Sequence, residues 1–391
     1  MSSNVTADVI IVGGGIVGAA LACALASINL QIVVIDGKPN KTAVVNDLLV
    51  SAITYGCQQW LSAIGAWDYL PSESLGVFRS MKVWEKADAA LTFDSAYLGT
   101  PTLGYIVPNH LLHAALLEKL ATFANVNILQ PAYPTAATFT HDQVILTVND
   151  QQISAKLIVG ADGANSWVRQ QCQFSIEEKS YQHTALITNI HLEHTHRQCA
   201  YQRFQEKNIL GLLPLADPHQ GALVWSGEAE PMNEWRHATD ATFNNELQTL
   251  WGDSLGELQV SAPRVCIPLT MRHALNYVQT RVALIGDAAH TIHPLAGQGL
   301  NLGLWDAQQL ANTIQQTRNK NRDFGLYTNL RPFERARRGH NQLMLNVVAS
   351  NKWLFANPSL TDLRQAGIST LDKITYLKQK IMQLAVFGTN A

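Results

Sequence analysis

Charge is scarce in this chain and balanced where it occurs. Of 391 residues, 28 are Lys or Arg and 30 are Asp or Glu, a formal charge of -2 with 15% charged residues overall. No global field is available to hold a polyanion, so nucleic acid is not an expected partner. Cysteine pairs are missing too: Cys23, Cys57, Cys172, Cys199 and Cys266 lie far apart, form no CxxC and are odd in number. That pattern suits reduced thiols in a cytosolic protein and speaks against a disulfide or zinc framework. Long apolar runs are also absent. The stretch Val9 to Leu30 is broken by Gly13, Gly14, Gly15 and Gly18, and no basic residue precedes it, the first being Lys38. Neither a signal peptide nor a membrane span is expected there, and no other window offers the roughly 18 uninterrupted apolar residues of a spanning helix. The expectation is a cytoplasmic protein whose contact with a bilayer would be peripheral, at its inner face.

Apolar residues are abundant, at 47%, which is enough for a buried core. The length fits two domains or one large interlocked unit. Val9-Ile10-Ile11-Val12 reads as a strand buried on both faces, Ala19 to Ala26 as a helix, and Ile32-Val33-Val34-Ile35 as a second buried strand closing at Asp36. This is one βαβ unit. Leu157 to Gly163 and Val282 to Asp287 repeat the pattern of an apolar strand running into an acidic loop. In an open parallel sheet such strand ends converge on one crevice. Met81 to Phe93 and Ala185 to Trp225 are β-rich and predict an inserted antiparallel sheet. Leu300, Leu304, Ala307, Ala311 and Ile314 recur at helical spacing, as do Leu360, Leu363, Leu371, Ile374, Leu377, Ile381 and Leu384 in the tail. The predicted fold class is α/β: a Rossmann-like nucleotide-binding domain (1–75 with 100–180 and 270–330) interleaved with an antiparallel-sheet substrate domain (76–99 with 181–269). A C-terminal helical region, 331–391, follows.

Gly13-Gly14-Gly15-Ile16-Val17-Gly18 is a GxGxxG turn between strand and helix, with Asp36 at the end of the next strand. The first glycine permits the tight turn, the second lets a pyrophosphate approach and the third lets helix and strand pack closely. Asp36 would accept from ribose hydroxyls. This turn serves NAD and FAD equally well. A second segment runs from Asp287 through His290, His293 and Pro294 to the glycine-rich Gly297-Gln298-Gly299-Leu300-Asn301-Leu302-Gly303, which opens a helix. It presents a carboxylate to a polyol and helix N-terminal N–H groups to developing negative charge. A flavin has both features. On its own the segment also reads as an Asp cap and a glycine-rich loop.

GGGIVG at Gly13 to Gly18, GADGANSWVR at Gly160 to Arg169 and LIGDAAHTIHPLAGQGLNLGLWD at Leu284 to Asp306 resemble, in order, the three fingerprints of the single-component FAD aromatic hydroxylases. HPLAGQGLNLGLWD, His293 to Asp306, resembles the signature of the ubiquinone-biosynthesis hydroxylases throughout. LGYIVPNHLLHAALL (Leu103 to Leu117) and RHALNYV (Arg272 to Val278) extend the resemblance over most of the chain, with least support between Arg197 and Pro263. The nearest branch is similar to the enzymes hydroxylating 2-polyprenyl-3-methyl-6-methoxy-1,4-benzoquinol. The resemblance implies that the first domain binds FAD, with Gly13, Gly15, Gly18 and Asp36 on its ADP half, Asp287 on the ribitol, and Asp162 and Gly163 serving both FAD and NAD(P)H. It implies Pro294 beside the reacting face of the ring, with Gly297, Gln298, Gly299, Leu300 and Asn301 supplying backbone donors to the pyrimidine edge. It further implies NAD(P)H as electron donor, O2 as co-substrate, a C4a-hydroperoxyflavin as oxygen donor, a polyprenylated quinol substrate and other ubiquinone-biosynthesis proteins as partners. No protein nucleophile is expected.

One departure stands out. Leu49 occupies the position where the family pattern has an arginine, which leaves donor use and flavin positioning open, with Arg79, Arg169 or Arg272 as compensating cations. No metal is expected, because His290 and His293 lack further ligands at known spacing. His191, His194 and His196 read as a solvated cluster, and Arg331, Arg335, Arg337 and Arg338 as an exposed helix face. The amphipathic tail reads as core packing, with membrane contact through the C-terminal helices as its rival. Three other functions stay open: a Rossmann dehydrogenase, a flavin reductase or oxidase acting on another lipid, and a flavin-binding non-catalytic subunit.

Overall fold

The structure, a computed structural model, describes residues 5–37, 48–85, 90–205, 208–291, 299–356 and 374–388. Val9–Val12, Ile32–Ile35 and Leu157–Gly160 are buried at every position, as continuous β-branched runs must be when helices cover both faces of a sheet. They belong to a sheet ordered Val278–Gln279, Val282–Leu284, Leu157–Gly160, Val9–Val12, Ile32–Ile35 and Val126–Leu129, parallel except at its first pair. From Val9–Val12 the sheet grows outward in both directions. This places a topological switch point at the end of that strand, where a crevice opens. The Ile16–Ala26 helix is apolar on all sides and buried from Gly18 onward, packed against the Asn109–Ala121 and Gly299–Asn319 helices.

A large, mainly antiparallel sheet runs in the order His290–Thr291, Val265–Ala274, Ile176–Leu192, Gln220–Glu228, Asn208–Pro214, Cys199–Gln205, Ser80–Trp84 and Ala90–Asp94. Its two longest strands cross the expected boundaries near 180 and 269, pairing Ile176 with Ala274 at one end and Ile187 with Val265 at the other. A register shift between Ser180 and His183 bends the pair close to the first boundary. Helices Ala229–His237 and Asp240–Trp251 cover this sheet and share its core around Leu186, Trp225, Phe243 and Trp251. A three-stranded sheet, Val50–Thr54, Gly104–Pro108 and Gly76–Phe78, joins the large sheet and the Thr375–Phe387 helix in another apolar cluster.

Three expectations need correction. Arg337 does not lie on an exposed face with Arg331, Arg335 and Arg338; it is buried against Asp306. His196 is buried as well, bonded to the Leu215 and Asp217 carbonyls, while His191 and His194 are exposed. In the Thr375–Phe387 helix the buried residues are Lys378, Met382 and Val386, whereas Ile374, Leu377 and Ile381 face outward. Leu360, Leu363 and Leu371 lie outside the described residues. No helix among the described residues is long and apolar enough to cross a membrane.

Candidate functional site

The glycine turn is held by contacts that allow no side chain at two of its positions. Gly13 has φ +107°, and a methyl group there would fall 2.3 Å from the Ala161 carbonyl oxygen and 2.7 Å from the Asp162 nitrogen. A methyl on Gly18 would meet the Gly13 oxygen at 2.0 Å. Gly15, by contrast, faces open space and caps the Ile16–Ala26 helix without any side-chain partner; no acidic residue stands in its first turn. The N–H groups of that turn are therefore presented outward with the positive end of the helix dipole. Asp36 follows the Ile32–Ile35 strand directly, lies 3.0 Å from where a Gly14 side chain would begin, and accepts from Gln130 Nε2 at 3.0 Å.

The second segment meets the first through Gly13. Asp162 Oδ2 accepts from the Trp167 and Val168 N–H groups at 2.7 and 3.2 Å, which anchors the loop. Its Oδ1 is buried with no hydrogen-bond partner among the described residues, and desolvation pushes the carboxyl above its ordinary range despite those bonds. Gly163, at φ +78°, opens onto free space. The third segment meets the first through Val17: Gly286, at φ +58°, and Gly303 both pack on the Val17 side chain, where added methyl groups would fall at 3.3 and 2.7 Å. Arg169 joins the second and third segments, donating to the Ala164 oxygen at 2.7 Å and the Ala288 oxygen at 3.0 Å.

Asp287 sits on the turn Gly286–Ala288, with solvent-accessible surface that leaves it reachable by a ligand. Enough protein surrounds it that desolvation pushes its carboxyl above the usual range, His290 pulling it back and Asp306 adding to the rise. Gly299 and Leu300 begin the Gly299–Asn319 helix. Asn301 ties that helix start to the Val50–Thr54 strand, accepting from Thr54 N at 3.0 Å and donating to the Ala52 oxygen at 2.7 Å. Beside it lies Cys57, whose thiol burial pushes up to about 12, so it holds no thiolate near neutral pH. Leu49 precedes the strand, its carbonyl accepting from Asn109 N at 2.8 Å. Pro294, Gly297, Gln298 and His293 lie outside the described residues.

A family model described as an FAD binding domain matches residues 6–329. This chain belongs to that FAD-binding family. It is 36% identical to a ubiquinone hydroxylase of Rhodospirillum rubrum, over 98% of this chain and 90% of the relative. Identity to the 3-demethoxyubiquinol 3-hydroxylase of Escherichia coli is 32%, over 98% and 99% of the two chains. The fold matches that of p-nitrophenol 4-monooxygenase from Pseudomonas putida with a TM-score of 0.79 at 18% identity, covering 99% and 100%.

The residues present fit FAD, the cofactor of the family. An uncapped helix N-terminus beside open space at Gly15 suits a diphosphate, and the carboxylates of Asp36 and Asp287 are able to accept from hydroxyls. The unpartnered Asp162 Oδ1 and the open Gly163 mark where a further donor group can sit. Of the cations weighed against Leu49, Arg169 and Arg272 are committed to the Ala164 loop, and Arg79 precedes the Ser80–Trp84 strand, its backbone N–H bonded to the Gln198 oxygen at 2.8 Å. Among the described residues no cluster of three metal-ligating side chains occurs.

Two features beside these motifs escape sequence reasoning. Asp306 is fully buried and accepts from His290 Nε2 at 2.5 Å, Arg337 Nε at 2.7 Å, the Gly286 N–H at 3.0 Å and Asn341 Nδ2 at 3.2 Å. The available signal was a lone acid inside the apolar stripe Leu302, Leu304, Trp305 and Ala307, which requires a cation from elsewhere. His113 is the other: its Nε2 lies 2.7 Å from the Gly14 oxygen.

Proposed function

We propose that this chain is an FAD-dependent monooxygenase that hydroxylates the aromatic ring of a polyprenylated benzoquinol in ubiquinone biosynthesis, consuming NAD(P)H and O2. The observation that carries the reading is the packing of the third motif on the first, Gly286 and Gly303 against Val17, in a chain that matches two named ubiquinone-pathway hydroxylases along its length. When bound, FAD supplies two-electron chemistry with NAD(P)H and activates dioxygen for transfer to the ring.

The chain's own part is binding, orientation and exclusion of water. Gly13, Gly15 and Gly18 shape the diphosphate turn, Asp36 and Asp287 accept from the sugar and ribitol hydroxyls, and Asp162 and Gly163 border the donor side. Gly299, Leu300 and Asn301 open the helix whose N–H groups would face the pyrimidine edge. An electron-rich phenol needs no protein nucleophile, which agrees with the protonated Cys57. Apolar Ala52, Phe78, Ile106, Ala200 and Met382 form a cluster between the small sheet, the large sheet and the C-terminal helix, a suitable dry wall for a prenylated ring. Residues 1–75, 100–180 and 270–330 are assigned to the FAD unit, 76–99 and 181–269 to the substrate sheet, and 331–391 to a helical region. The outward apolar face of the C-terminal helix supports peripheral contact with the inner face of the membrane, where such a substrate resides.

The test is lipid analysis of a strain lacking this protein. A quinol precursor one ring hydroxyl short accumulates while ubiquinone falls, and 18O from labelled dioxygen enters the product made by the purified protein. Unchanged ubiquinone with no precursor defeats the assignment. Leu49 favours one second reading, a flavin-binding subunit without turnover; quinol-stimulated NAD(P)H oxidation rules it out.

A further inference from the structure

We propose that His113 is a positioning residue for the cofactor diphosphate, locking the peptide between Gly14 and Gly15 so that its N–H faces the anion. The proposal rests on FAD as the ligand of this turn. A carbonyl oxygen can only accept, so the 2.7 Å contact from His113 Nε2 to the Gly14 oxygen fixes Nε2 as the protonated nitrogen. In a trans peptide the C=O and the following N–H point in opposite directions. Holding the Gly14 oxygen toward His113 therefore turns the Gly15 N–H to the far side.

The turn needs such a lock. Three consecutive glycines give this segment more rotational freedom than any other sequence would, and a flipped peptide would present an oxygen to the diphosphate. The peptides on either side are already tied, the Gly13 N–H to the Ile35 oxygen and the Gly15 oxygen to the Ala19 N–H, both at 2.8 Å, while Gly13 lies flat on Ala161 and Asp162 and Gly14 lies against the Asp36 carboxylate. None of these contacts selects which way the Gly14–Gly15 peptide between them faces. His113 does, and it stands one turn into the 13-residue Asn109–Ala121 helix, whose first N–H is bonded to the Leu49 oxygen. Leu49 brings no charge to this corner. Oriented backbone dipoles thus carry a larger share of anion binding, and the residue that orients them gains in importance.

The experiment is titration calorimetry on the full-length protein freed of flavin, with FAD, ADP and adenosine as ligands. For His113→Leu, FAD and ADP bind about five- to tenfold more weakly, the loss of one hydrogen bond's worth of orientation, while adenosine binding is unchanged. His113→Gln, whose amide N–H can reach the same oxygen, stays within about threefold of the native protein, and the 31P signals of its bound FAD stay in place while those of His113→Leu move. Equal ADP affinity in native protein and His113→Leu overturns the proposal alone. So does equal weakening of ADP and adenosine, which marks a general loss of structure. Native protein that binds no FAD overturns the cofactor reading and this one with it.

Discussion

Asp306 keeps its charge in a fully enclosed position because four donors from two stretches of chain, 286–290 and 337–341, converge on its two oxygens. The neighbouring His290 and Arg337 outweigh desolvation and hold its carboxyl down at about 2. Its ionised form therefore stabilises the fold above the ordinary carboxylate range, and that contribution fades as pH falls toward 2. Arg337→Met removes one partner of a buried pair and should cost about 3–5 kcal/mol in urea unfolding near pH 7. Adding Asp306→Asn, which removes the stranded charge, should return part of that loss; an Arg337→Met protein as stable as the native one refutes the clamp. Two buried histidines act in a higher pH window. Desolvation, reinforced by Arg337 beside His340 and by His290 beside His273, lowers both to about 4. The unfolded chain takes up these protons near 6.5, so stability should decline as pH drops from about 6.5 to 4. His340 sharpens the test: neither ring nitrogen has a hydrogen-bond partner among the described residues, and the ring packs edge-on to Trp305 at 5.4 Å. His340→Phe should be neutral or stabilising at pH 7 and should flatten the acid slope, read as urea midpoint against pH.

Between elements, the decisive contact is Val17, the second residue of its helix, lodged against two glycines of the third segment. Gly303→Ala should lower FAD occupancy, because the new methyl group lies 2.7 Å from a stiff, β-branched side chain inside a buried interface. Val17→Ala removes that methyl's obstacle, so Val17→Ala combined with Gly303→Ala should regain much of the flavin absorbance per protein. Equal occupancy in Gly303→Ala and native protein argues that the contact does not shape the site. The sequence made this convergence legible because buried parallel strands are written as continuous apolar runs, and their acidic or glycine-bearing ends must share one edge of the sheet. Val9–Val12, Leu157–Gly160 and Val282–Leu284 occupy neighbouring positions there. Arg337 was not legible: its partner lies 31 residues earlier, and a cation on a helix shows only its face, not what covers it. His113 stayed hidden for a similar reason, 99 residues from the turn it touches. Periodicity marks a stripe in the final helix without saying which side meets the protein. Lys378 lies inward because its ammonium group finds the Tyr97 ring at 4.6 Å.

For the whole molecule, that inversion leads to a prediction about membrane contact. Tyr376 is 70% exposed, Ile374 and Leu377 44% and Ile381 40%, along a helix that carries no acidic residue and places Lys380 beside Tyr376. An apolar face with an aromatic and a cation at its edge suits the boundary of an anionic bilayer, where the apolar part inserts and the lysine stays at the headgroups. The inner face of the same helix packs on the segment that follows Leu49, with Tyr55 edge-on to Phe387 at 6.2 Å. One helix would thus stand between the membrane and the apolar cluster proposed as the wall for the prenylated ring. Burying three aliphatic side chains contributes roughly 1 kcal/mol or more each, so Ile374→Ser, Leu377→Ser and Ile381→Ser together should weaken binding to phosphatidylglycerol vesicles by at least about tenfold. The thermal midpoint should hardly move, because these side chains already face solvent. Turnover of a short-tailed, water-soluble quinol should persist, while turnover of a long-tailed quinol presented in vesicles should fall. Vesicle binding that is the same with and without the three serines would show that this face serves something other than the bilayer.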